Sequence, residues 1–221
     1  AGQLENDPGE IRVLADTALD YLSEATDGRD PSAVFWSAHA YVLRGELTEA
    51  ATLFDSLSNS KDQRLRDHSS LSLAHLLSSL GDFDKAGAVL RSNFDKKVDN
   101  SLSQDVLLLR ATILIEQKKQ SEATQILKAI VPSNRKQEVH LAYLGARLDA
   151  LSETQLAIAP LREIINKPDP VPPLIRHSAQ IFLAHCLRAT EQAEEAFATL
   201  VDLIDTHPRS PLLEVAFYRL Q

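Results

Sequence analysis

The side chains able to do chemistry are sparse in this sequence. It holds seven histidines and one cysteine, and a catalytic or metal centre would need several such groups at defined spacings. There is no glycine-rich loop ending in Gly-Lys to cradle phosphate and no Gly-x-Gly-x-x-Gly dinucleotide fingerprint. There is also no His-Glu-x-x-His zinc pair, no Cys-x-x-Cys pair and no Gly-x-Ser-x-Gly nucleophile turn. Cys186 stands in the apolar run LAHCL with no cationic neighbour to favour a thiolate, so it reads as a small buried hydrophobe. The chain is expected to be non-catalytic, with no cofactor and no bound metal.

Composition narrows the partners. The net charge of −8 and a pI near 5.4 argue against nucleic acid, because a phosphate backbone calls for a basic face. No apolar run approaches the ~18 residues needed to span a bilayer. A single cysteine fits the cytoplasm and a bacterial periplasm or envelope equally, which leaves the compartment open. The chain contains no methionine, which points to a processed or excised segment. Aromatics are only 5% of residues, as in helices packed by leucine and alanine.

The elements that position these side chains recur. The stretch Leu76 to Leu90, LLSSLGDFDKAGAVL, predicts a helix end, a tight turn at Gly81-Asp82 and a second helix start. Aligning on its small residue gives Ala50, Ala86, Ala123, Ala157 and Ala196, at intervals by subtraction of 36, 37, 34 and 39. Twelve positions earlier stand Ala38, Ala74, Ala111, Gly145 and Ala184, and four later Phe54, Leu90, Leu127, Leu161 and Leu200. Two antiparallel helices approach closely only where small side chains meet, and large apolar ones one turn away fill the groove. The turn residue five before each alanine is Gly45, Gly81, Lys118, Ser152 and Glu191.

The units read as residues 31–62, 63–100, 103–133, 137–170 and 174–208 of one continuous array over 1–221. A lone helix over 10–26 precedes them, with Ile11, Leu14, Ala15, Ala18, Leu19 and Leu22 at helical spacing, and another over 211–221 follows. The run KPDPVPP from Lys167 to Pro173 forbids helix and reads as a stiff loop between units. Opening on a second helix and closing on a first predicts a fragment of a longer protein, or a subunit whose ends dock on something.

Leu144-Gly145, Tyr41, Gly45, Ala50, Phe54 and Pro208 fall at the consensus places of the tetratricopeptide repeat (TPR) family, which the chain resembles five times in phase, with partial repeats at both ends. That family's first-helix tryptophan place is Val34, Ser70, Leu107, Leu141 and Gln180, so this feature is missing. The final HPRSPLLEVAFYRL is similar to repeat starts in bacterial cell-envelope members of the family. The resemblance implies an all-α fold, a right-handed α-α superhelix whose first helices line a concave groove.

The resemblance further implies which side chains face that groove: Phe35 and His39, then His68, Leu71 and His75, then Leu108 and Thr112, then Ala142, and last Ile181, His185 and Arg188. Phe35, Leu71, Leu108 and Ile181 are the expected anchors. Members that grip a peptide's terminal carboxylate use Lys and Asn where this chain has Phe35, His39, Leu71 and His75, so such a clamp is disfavoured. For His39, His75 and His185 two readings stand, half-buried residues on a polar groove or a pH-tuned partner contact. Zinc at about 2.0–2.1 Å from each ligand is disfavoured by helix axes about 8–10 Å apart. Trp36 and Tyr41 are expected to be packing residues. The function expected is a non-catalytic scaffold binding a peptide or helix of another protein. The alternatives are a spacer or regulatory domain of a larger enzyme and a bacterial envelope assembly lipoprotein, and the end helices offer a route to self-association.

Overall fold

A computed structural model describes residues 8–26, 30–94, 102–167, 171–208 and 210–220. Among these the chain forms twelve helices and no strand: α1 (Pro8–Thr26), α2 (Pro31–Arg44), α3 (Leu47–Leu57), α4 (Gln63–Ser79), α5 (Phe83–Phe94), α6 (Ser103–Glu116), α7 (Gln120–Ala129), α8 (Arg135–Ser152), α9 (Thr154–Asn166), α10 (Pro173–Ala189), α11 (Ala193–Thr206) and α12 (Leu213–Leu220). The all-α expectation holds, and the lone helices expected over 10–26 and 211–221 are present as α1 and α12. Parts of residues 1–9, 63–100 and the KPDPVPP run lie outside the described residues.

Local signals account for the starts. Asp30 accepts a hydrogen bond from the Ser32 backbone N–H at 2.9 Å, with Pro31 at the first helical position. Asp62 caps α4 through Leu65 at 3.2 Å. Asn134 accepts from Gln137 N–H at 3.0 Å while the Gln137 side chain takes the N–H of Ser133, the residue before the cap, at 2.9 Å, so a first-turn donor and one just outside the helix are both satisfied.

The chain divides into two compact units, Ala1–Leu109 and Arg110–Gln221. In the first, α1 packs on α2, and α2–α3 and α4–α5 form helical hairpins; in the second, α8–α9 and α10–α11 do so, with α12 against α11. Ala38, Ala50, Ala74, Ala86, Ala111, Ala123 and Ala157 are fully buried and Ala184 and Ala196 nearly so. That is the expected signature of helices crossing on small side chains. Phe54, Leu90, Leu161 and Leu200 are buried as groove fillers, whereas Leu127 is only half-buried. Ala18 of α1, at the matching place, is exposed. Where the family carries tryptophan, buried Gln180 donates to Asp202 on α11 at 3.1 Å, exchanging an apolar contact for a hydrogen bond.

The turns follow one design with one exception. Gly45 and Gly81 adopt φ of +80° and +78°, and Lys118 and Glu191 take the same left-handed conformation at +58° and +63°. In each, the next residue's N–H reaches back across the helix end: Glu46 to Tyr41, Asp82 to Leu77, Lys119 to Leu114 and Gln192 to Leu187, at 2.8–2.9 Å. This closes the helix with a left-handed C-terminal residue. Ser152 does not join this series. It is still helical, and only Glu153 separates α8 from α9, bonding to Asp149 at 3.0 Å.

The shortened turn shifts the fourth repeat by one residue. A Cβ added at Gly145 would meet nothing within 4 Å, so Gly145 is not the crossing residue expected from the sequence alignment. Ala146, 1% exposed, is buried in the core with Ala157. The interval from Ala146 to Ala157 is 11, against 12 from Ala38 to Ala50, Ala74 to Ala86, Ala111 to Ala123 and Ala184 to Ala196. One residue fewer in the turn is offset by one residue along α8, which keeps small side chains opposed.

Candidate functional site

The first unit gathers Phe35, His39 and His68 of the expected groove residues. The Phe35 ring lies 4.7 Å from His39, 5.9 Å from Phe54 and 6.5 Å from His68, all edge-on, and His39 lies 5.0 Å from Phe54. These offsets suit aromatic quadrupoles and close the cluster. Burial holds the His39 imidazole below its ordinary pKa, because the imidazolium would lose solvation there. Trp36, 5.4 Å from Phe35, is 60% exposed, which overturns its reading as a packing residue. His75 is exposed, while Leu71 and Leu108 are buried, so neither of these two anchors is open to a partner.

The second unit is organised differently. Ile181 and His185 line an open cavity of about 370 Å³ together with Glu116, Tyr143, Arg147, Phe182 and residues of α12. The walls come from α6, α8 and α10, each the first helix of its repeat, and from α12, which follows the last repeat. Helical periodicity explains the contribution of α10, since residues at i, i+1 and i+4 share a face. Arg147 is the centrepiece. Its guanidinium pairs with Glu116 at 2.7 Å and sits 5.8 Å from the ring centres of both Tyr143 and Phe182. A planar cation held between two ring faces and a carboxylate has little freedom left. Phe182 stacks on His185 at 6.0 Å, and burial pushes the Tyr143 phenol up.

Of the other expected residues, Thr112 is half-buried and Ala142 and Arg188 are exposed, and none of the three lines the cavity. Tyr143 and Arg147 replace Ala142 on α8 because of the one-residue shift set by the short Ser152–Thr154 turn. The sequence signals for the missed residues were an aromatic and an arginine at i, i+4 on α8, and an aromatic just after Ile181.

The arrangement suits binding. Cys186 is buried and its thiol is pushed up to about 11 by desolvation, so it is a poor nucleophile near neutral pH. Among the described residues no three His, Cys, Asp or Glu side chains converge as a metal site would require. Among them, too, no helix is long and apolar enough to cross a membrane. In comparisons with known proteins, the sequence model of the family described as Tetratrico peptide repeat matches residues 31–143. That is 113 of the 221 residues (143 − 31 + 1). No curated protein matches the chain.

Proposed function

Because the chain belongs to the tetratricopeptide repeat family, whose members generally mediate protein–protein interactions, we propose that it is a non-catalytic scaffold that seats a partner's peptide or helix in the cavity lined by α6, α8, α10 and α12. The observation that carries this reading is the preorganised Glu116–Arg147 pair between the Tyr143 and Phe182 rings, beside the half-buried Ile181. An apolar side chain of the partner fills the space against Ile181 and Phe182. Polar groups of its backbone meet Ser178, His185 and the ion pair, a division of labour usual in peptide grooves. Little ordering entropy remains to be lost on binding, since the arginine is already immobilised.

A photo-crosslinking residue at His185 tests the proposal, with a second at exposed Glu163 on α9 as the off-site control. A partner captured from position 185, absent from position 163, and lost on Phe182→Asp with helix content unchanged, is the expected result. Equal capture from both positions, or capture indifferent to Phe182→Asp, would overturn it.

A further inference from the structure

The first unit contains a second and larger cavity, about 660 Å³, on a different face of the same repeat architecture. Ala33, Val34 and Tyr41 of α2 form its floor, Leu19 and Leu22 of α1 one bank and Leu53 of α3 the other. At about 100° per residue, Ala33, Ser37, Tyr41 and Arg44 lie on the side of α2 opposite Phe35 and His39. This cavity is therefore distinct from the faces that the family resemblance points to. Its floor runs from Ala33 to Arg44, about 16 Å at 1.5 Å per residue, or three helical turns.

Its electrostatics are one-sided. Arg44, the only lining cation among the described residues, is already engaged, by Asp16 at 3.3 Å and Glu46 at 2.6 Å, and it lies over the Tyr41 ring at 5.8 Å. Asp20 on the α1 bank and Glu49 on the α3 bank are both exposed, and among the described residues neither is paired with a cation. Among the described residues, the charged groups lining the cavity are thus Asp20, Glu49 and Arg44, a balance of −1 (1 − 2), and Asp16 and Glu46 already hold the guanidinium. Thr48 and Thr52 extend the α3 bank, and the Thr52 hydroxyl already donates to the Thr48 carbonyl at 2.9 Å. An apolar floor between two acidic banks complements a helix with a leucine-like face and lysines or arginines along its flanks. A neutral or acidic segment would bury the same apolar face without satisfying Asp20 and Glu49.

We propose that the α1–α2–α3 cavity is a second docking site, and that its occupant is a basic amphipathic helix of a partner protein, about three turns long. Its apolar side chains lie on the half-buried Val34 and Tyr41, and its cations reach Asp20 and Glu49.

The test uses the full chain and a fluorescent fourteen-residue leucine/lysine amphipathic peptide, with a leucine/glutamate peptide of the same pattern beside it, read by anisotropy at physiological salt. The Asp20→Lys/Glu49→Lys variant is expected to weaken the lysine peptide by about tenfold or more. Glu122→Lys/Asp205→Lys, which changes the net charge equally at exposed sites elsewhere, should leave binding within about twofold. Ser37→Trp, which fills the cavity without altering charge, should weaken it as strongly as the rim reversal. A photo-crosslinker at Thr52 should capture the peptide on the otherwise unaltered chain, which keeps the test independent of how the variants fold. The proposal is overturned if the lysine peptide does not bind, or if the glutamate peptide binds equally well. It is also overturned if both charge variants weaken binding alike, or if crosslinking occurs from His185 and not from Thr52. Concentration-dependent self-association abolished by Ser37→Trp would assign the cavity to a second copy of the chain instead.

Discussion

Phe35 and His39 of the first unit occupy the same repeat places as Ile181 and His185 of the second, yet one pair is half-buried within a cluster of rings and the other borders open space. In the first unit the opposing second helix supplies Phe54, and the rings of Phe35, His39 and Phe54 meet at 4.7–5.9 Å. In the second, the corresponding filler is Leu200, and the space over Ile181 and Phe182 stays open as a cavity edged by Arg147 and Glu116. A repeat place therefore specifies a direction for a side chain and not its accessibility. Accessibility depends on the volume of whatever neighbours share that space.

Removing the filler should have the largest effect. Phe54→Ala empties a fully buried site and should cost about 3–5 kcal/mol in denaturant unfolding, whereas His185→Ala at the open edge should stay within about 0.5 kcal/mol. A loss below 1 kcal/mol for Phe54→Ala would mean that the first cluster is not the packed one. The shifted register of the fourth repeat gives a sharper contrast. Ala146→Leu should destabilise by about 1–3 kcal/mol through overpacking, while Gly145→Ala, with nothing near its Cβ, should stabilise by about 0.5–1 kcal/mol. The reverse ranking would restore Gly145 to the crossing.

Four of the five turns differ from the fourth in their left-handed residue. Gly45→Ala should cost about 1–2 kcal/mol, and Lys118→Gly or Glu191→Gly should stabilise by about 1 kcal/mol, because a Cβ is penalised at φ near +60°. Ser152→Gly, inside a helix, should instead destabilise by about 0.5–1 kcal/mol, and thermal melts rank all four. In the second unit, a double-mutant cycle on Glu116 and Arg147 should return a coupling of about 0.5–1 kcal/mol, since the carboxylate is partly exposed. A coupling of zero would leave the rings alone to position the guanidinium.

The smallest effect is that of pH on the first cluster. His39 has a lowered pKa in the fold because burial penalises its charged form. Above the unfolded value of about 6.5 both states are neutral and nothing is lost. As pH falls below it, the unfolded chain takes up the proton first, so stability drops until the folded pKa is passed. His39→Leu should therefore lose less melting temperature than the parent between pH 8 and pH 5. An equal loss in both proteins would place the acid sensitivity in other histidines.

Much of the fold was legible because helix formation and close crossing leave local marks. The buried alanines Ala50, Ala86, Ala123, Ala157 and Ala196 were identifiable from spacing alone, and the structure added that Asp30 and Asp62 cap the starts of α2 and α4. The candidate site was less legible. Ile181 and His185 were read as groove residues through the resemblance and do line the cavity, while Glu116 was missed because it meets Arg147 from a helix some thirty residues away, and Tyr143 and Arg147 because of the one-residue shift along α8. Leu71 and Leu108 were read as groove anchors, but their neighbours cover them. Trp36 was read as packing, but it touches the cluster only at its edge, against Phe35 and His39, and stays mostly exposed.

By itself, the sequence determined the helices and, outside the fourth repeat, the small residues at the crossings, because each depends on contacts within a few turns or on a fixed offset between paired helices. Only the tertiary structure decided which face of α8 looks into the cavity, which of the repeated side chains stay open, and that α1, α2 and α3 enclose a second cavity with acidic banks. A one-residue change in a turn moves a helix face by about 100°, and burial is set by the joint volumes of side chains far apart in the chain, so neither is written at any single position.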